Sequence, residues 1–188
     1  MSAKILSDEF LALRIREVNN LINLTEEINN KYSRQMIISS PEAGKWSVVQ
    51  VLAHLNSYNR YYLDALETAL NKSSNKANTG FYKPGLLGAY FTRLMLPAEE
   101  RQKSRKMKSP KDHIPPKNPD AEKVINEFIN GEKTLLLQLE KARRVNMMKT
   151  RVPISLNRFI KLQLGDTFHF LVAHQQRHFL QIQEILKN

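Results

Sequence analysis

Three histidines carry the chemistry of this 188-residue sequence: His54 in one predicted helix, and His174 and His178 in another. The second pair lies in the run Phe170-Leu-Val-Ala-His174-Gln-Gln-Arg177-His178-Phe-Leu-Gln181-Ile. A spacing of four puts two imidazoles on one helix face, one above the other. A third imidazole from a facing helix would complete a set able to hold one divalent metal ion. No carboxylate on either helix is placed beside them, and Asp64 lies ten residues after His54, too far along the helix axis. Such a three-histidine site keeps positions open for water or substrate, as catalytic zinc sites do and structural ones do not. The competing reading is that these are core or boundary histidines, hydrogen-bonded to backbone or water. A lone HxxxH pair is a weak signal. The third histidine on a matching face raises the weight of the metal reading.

Other residues near the pair have supporting roles in this reading. Gln181, three residues after His178, can orient a ligand or a water. Arg177 can support the site or pair with a carboxylate on a neighbouring helix. His169, nine residues before His178, falls half a turn round the helix and is expected at the boundary. His113 sits in a basic loop and is expected to be solvated.

Four helices must position these side chains. The first is predicted to start at Ser7, as N-cap, with the stripe Phe10, Leu13, Val18, Leu21, Leu24 and Ile28, and to fade near Met36. Ser39 to Lys45 reads as a turn. The second starts with Ser47 as N-cap and carries Val51, His54, Leu55, Tyr58, Tyr61, Tyr62 and Ala65 at helical spacing. It ends in the polar run Asn71 to Gly80. The third follows Asp120 and runs to about Arg144, with the stripe Val124, Phe128, Leu135 and Leu139. Val152 to Leu164 reads as an irregular connector. The fourth opens at Gly165-Asp166-Thr167, with Asp166 or Thr167 as cap, and places His174 and His178 on the stripe Leu171, Ile182, Ile185. The fold class is all-α, a four-helix bundle in one domain over residues 1–188. The long crossover, residues 73–119, allows helices two and three to run parallel, which a short loop cannot do. Within it, Pro84 to Leu96 is expected to form a short amphipathic helix or lid, and Arg101 to Lys117 an extended basic segment.

Composition narrows the function classes. Hydrophobic residues make up 41% and charged residues 25%, as in ordinary globular proteins. The absence of cysteine excludes disulfides, thiolate ligands and a cysteine nucleophile, so any thiol chemistry needs a thiol from outside the chain. No stretch is long and apolar enough to span a membrane, and Met1 to Glu9 lacks the apolar core of a signal peptide, so a cytoplasmic protein is expected. The net charge of +11 is concentrated in part at Arg101, Lys103, Arg105, Lys106, Lys108, Lys111 and Lys117. The alternative function is therefore a non-catalytic binding protein that uses loop 101–117 for nucleic acid or an acidic partner. The loop has no aromatic residue to stack on bases, which argues against a single-strand platform. A membrane-surface contact by Pro84 to Lys111 is the weaker of two readings; a lid over the bundle is preferred.

Two segments resemble the DinB/YfiT-like family of metalloenzymes. The first is Gly44-Lys-Trp46-Ser47-Val-Val-Gln50-Val-Leu-Ala-His54-Leu, similar to the family's tryptophan–serine helix start and single histidine. The second is Leu164-Gly-Asp166 through His178-Phe-Leu-Gln181-Ile, similar to its closing helix. The resemblance implies an up-down-down-up bundle and a divalent metal, zinc or nickel, on His54, His174 and His178. It also implies homodimers and a small-molecule substrate. Family activities include transferases and isomerases that use a low-molecular-weight thiol. Thiol transfer and hydrolysis are both compatible with three histidines. The segment between Ser73 and Pro119 has no counterpart in the resemblance and is a place where substrate could be selected.

Overall fold

Apolar stripes at helical spacing need partners to bury them, and the computed structural model shows how this chain supplies them. It describes residues 4–73, 78–96 and 109–187. In chain order the elements are β1 (Ile5–Leu6), α1 (Ser7–Lys31), α2 (Arg34–Ile38), α3 (Val48–Lys72), β2 (Phe81–Tyr82), α4 (Leu86–Met95), α5 (Ala121–Ala142), β3 (Arg151–Ile154), β4 (Asn157–Gln163) and α6 (Leu164–Lys187). The four long helices form a four-helix bundle. β1 pairs with β2, and β3 with β4, both antiparallel.

Side-chain bonds give the helix directions. Asn56 bonds to Val124, Arg60 to Glu127 and Lys141 to Glu67, so α3 and α5 run parallel. His54 meets His178 while Tyr62 meets Phe170, so α3 and α6 run antiparallel. Asp8 at the start of α1 pairs with Arg143 at the end of α5. α1 and α3 occupy opposite corners. The order is up-down-down-up, and the parallel α3–α5 pair is what the long crossover makes possible.

The core is divided. One apolar half gathers Leu11, Tyr62, Leu66, Leu135, Leu139, Phe168 and Leu171. The other gathers Leu52, Leu55, Ile125, Phe128, Phe179 and Ile182. Burying each large side chain contributes about 1.5–3 kcal/mol. Between the halves lies a polar layer: Asn56, Asn59, Glu132, His174 and Gln175, all buried. Gln175 and Asn59 both donate to Glu132 Oε1, at 2.6 and 2.9 Å.

Several expectations change. The first helix stops at Lys31, and Ser33 starts a separate helix, α2, by accepting a bond from the Met36 amide. Ser7 is the first residue of α1, not its cap, and Leu13 is exposed because the buried stripe runs through Leu11 and Arg14 instead. Val152 to Gln163 is a hairpin, not an irregular connector: Val152, Ile154 and Leu162 face the core in alternation. Asp166 lies buried inside the first turn of α6 rather than at its cap position, and its carboxyl faces the backbone amide of Gln163 just before the helix as well as Tyr82 and Gly85. Residues 101–108 of the basic segment lie outside the described residues. The part from Ser109 to Lys117 is folded against α3, with a 3-10 turn at Lys111–His113, and His113 is buried, not solvated.

Candidate metal centre

The α3 start that delivers His54 is built locally. Ser47 accepts from the Gln50 amide, and the Gln50 side chain accepts from the Ser47 amide, a reciprocal box that fixes the first turn. His54 then points across the bundle to α6, whose four-residue spacing sets His174 and His178 against it. One nitrogen from each of the three rings lies within 4.8 Å of the others. His54 Nε2 and His174 Nε2 are 3.3 Å apart. Two imidazole nitrogens on one tetrahedral ion, at about 2.0–2.1 Å, stand roughly 3.3 Å apart. The His54–His174 pair is thus at the separation a single small divalent ion requires, and the His178 nitrogen completes the donor set within 4.8 Å of both.

The tautomers follow from the outer bonds. His54 Nδ1 donates to the carbonyl of His113 at 2.6 Å, leaving Nε2 as the lone-pair nitrogen. His178 Nδ1 donates to Gln181 Oε1 at 2.9 Å, leaving its Nε2 free in the same way. His174 Nδ1 is sealed from solvent and has no partner among the described residues. Burial holds all three imidazoles neutral. His54 and His178 are each pushed down to about 4, burial being the main cause, with neighbouring histidines adding to it, and His174 falls well below the usual histidine value for the same reasons. Neutral imidazole is the form that ligates a metal.

The cluster opens on a cavity of about 670 Å³. Trp46, Tyr58, Met95, Pro110 and Ile185 form its apolar walls, and Lys45, Arg177 and Glu184 its charged margin. Tyr58 packs against His174, with ring centres 4.4 Å apart. Tyr58 also lines the cavity, and burial pushes its phenol up to about 12, so it stays protonated. Arg177 Nη1 donates to the Leu94 carbonyl at the end of α4, which ties the crossover helix to α6. His169 is half-buried against Phe10, away from the three, as its helix position required. Trp46 stands 5.0 Å from His54, ring to ring, on the cavity wall.

Sequence reasoning missed two residues of this centre. Tyr58 follows His54 by four residues on the same helix, a spacing that signals a shared face. His113 had no local signal, because its place depends on a chain reversal across 59 residues.

No match is found among curated proteins. Among solved structures, the chain is similar in fold to YfiT from Bacillus subtilis, described as "a probable metal-dependent hydrolase with an unusual four-helix bundle topology". The two are 16% identical, with a TM-score of 0.52, covering 96% of this chain and 86% of that one. The sequence profile of the DinB superfamily matches residues 12–182, nearly the whole bundle together with all three histidines. This chain belongs to the DinB superfamily.

Proposed function

We propose that this protein is a metal-dependent enzyme that binds zinc or nickel through His54, His174 and His178 and acts by hydrolysis on a small molecule held in the adjoining cavity. The observation that carries this reading is the convergence of three neutral imidazoles, open to a cavity and, among the described residues, joined by no carboxylate. A bound divalent ion would supply Lewis acidity, polarising a substrate oxygen or making water a better nucleophile near neutral pH.

The chain's own residues do the rest. The His113 carbonyl and Gln181 hold the rings of His54 and His178 in the orientation and tautomer that present Nε2. Trp46, Ile185 and Met95 exclude water from one side of the cavity, which strengthens polar interactions inside it. Tyr58 lines the cavity beside His174, and its phenol would serve as a donor to a substrate oxygen there. Three neutral ligands would leave the charge of a bound ion unneutralised within its ligand set, an arrangement that favours an anionic or strongly polar group beside it. YfiT, a solved structure of similar fold, is described as a probable metal-dependent hydrolase, which favours hydrolysis over thiol transfer here. Thiol transfer would use the same site with an added low-molecular-weight thiol.

Zinc- or nickel-loaded protein, offered a panel of activated esters and amides, is expected to show turnover that a chelator removes and metal restores. His178→Ala should fall to background. Turnover that survives both the chelator and His178→Ala would refute the reading.

A further inference from the structure

The ligand nitrogen of His54 depends on a hydrogen bond made by the other side of its ring, and that bond leads out of the bundle. Its acceptor is a backbone carbonyl, that of His113, on the crossover between α4 and α5. A carbonyl cannot be tuned by its own side chain, only by where the segment that bears it is docked. The contacts that dock this segment converge on the His113 ring. The ring stacks on Tyr58 with centres 3.7 Å apart and planes inclined by 21°. The Ser57 hydroxyl gives its hydrogen to the His54 carbonyl, so His113 Nδ1 is the donor in the 2.9 Å bond to Ser57 Oγ. His113 Nε2 is then the acceptor for Ser155 Oγ, at 3.4 Å, in the turn of the β3–β4 hairpin. Further along, Gln50 holds the segment through the carbonyls of Pro116 and Lys117. One ring thus bridges the helix that carries His54 and the hairpin that precedes α6.

We propose that His113 is a positioning residue for the metal ligand His54: its ring anchors its own carbonyl against His54 Nδ1, so that docking of crossover residues 109–117 and metal affinity are coupled. The proposal rests on the three-histidine metal reading above and adds a determinant outside those residues. Partners that orient a ligating imidazole are worth about 10–100-fold in metal affinity. Coupling is reciprocal, so metal binding should stabilise the docked segment by the same factor.

The test is zinc competition against a chromophoric chelator, made on the full chain. His113→Ala is expected to bind zinc about 10–100-fold more weakly than wild type. His113→Phe keeps the stack on Tyr58 and loses the bonds to Ser57 and Ser155, and should fall between the two; it also serves if His113→Ala does not fold. Hydrogen exchange supplies the second readout: in wild type, zinc should slow exchange of amides in 109–117, and this slowing should shrink in both variants. A merely structural His113 would lower apo stability and leave the zinc dissociation constant unchanged. Folded variants that bind zinc within about threefold of wild type, with unchanged zinc-dependent protection, would overturn the proposal. Wild type that binds no zinc would instead overturn the metal reading on which it rests, and the two failures are separate results.

Discussion

Glu132 shows at the scale of one residue how this bundle tolerates polarity and what that costs. The carboxyl is completely buried; Oε1 takes bonds from Asn59 and Gln175, and Oε2 has no partner among the described residues. Burial pushes its pKa up from 4.5 to about 8, although the two amide bonds pull the other way. Between those values the folded protein holds a proton that the unfolded chain has released. Stability must therefore fall as pH rises from about 4.5 to about 8, by at most roughly 1.4 kcal/mol per pH unit. Glu132→Gln keeps the shape and removes the ionisation. It should flatten the profile and exceed wild-type stability at pH 8 by about 1–3 kcal/mol, as read from urea unfolding between pH 5 and 8.5; parallel profiles for the two proteins would count against this. The residue was visible in the sequence in one sense: Phe128, Glu132, Leu135 and Leu139 are spaced as a single stripe, with a charge in its middle. The three histidines were legible for the same reason, as polar groups on apolar stripes. Which of these polar groups would meet was not legible, because spacing fixes a face and does not fix the facing residue.

At the scale of elements, α4 is held down by a buried clamp. Asp166 accepts from the Tyr82 hydroxyl at 2.5 Å and from the Gly85 amide at 3.2 Å. This fixes β2 and the start of α4 onto α6, and the far end of α4 then supplies Leu94 to Arg177 and Met95 to the cavity wall. The close approach needs glycine: a Cβ at Gly88 would lie 2.1 Å from the Asp166 carboxyl carbon. Alanine would gain up to about 1 kcal/mol in helix propensity, yet an overlap of that size must displace Asp166 and overpack the contact, at about 1–3 kcal/mol and more. Gly88→Ala should therefore lose about 2 kcal/mol net, or roughly 4–8 °C in Tm by calorimetry; an unchanged or raised Tm would show that the clamp gives way freely. The long helices were legible because periodicity and caps agree, as at Ser47 and Gln50. The hairpin was not, because Pro153 and the bulge beside it interrupt the alternation of a short run. Asp166, expected as a cap, does meet the Gln163 amide at the helix start; its bond to a tyrosine 84 residues earlier leaves no trace in local sequence.

For the whole molecule, the arrangement of helices and the place of the site are one fact. Running α3 parallel to α5 requires a crossover the length of the bundle, and part of that crossover returns to support His54 from outside. The polar layer that separates the two apolar halves is the level at which the histidines meet, so the site occupies a position where the core is already interrupted. The length of the connection allowed the parallel pair, the resemblance implied the up-down-down-up order, and the stripe positions of His54, His174 and His178 placed the site within the bundle. The contribution of the crossover was not legible, since it depends on long-range packing of a segment with no periodic pattern. A metal enzyme built on these three imidazoles must hold one ion among them. Elemental analysis of protein purified without a nickel column, beside the His54→Ala/His178→Ala double variant, measures this directly. About one zinc or nickel per wild-type chain is expected, and none in the variant. Wild type free of metal after zinc and nickel have both been offered, or a folded variant with the same metal content as wild type, would contradict the metal reading.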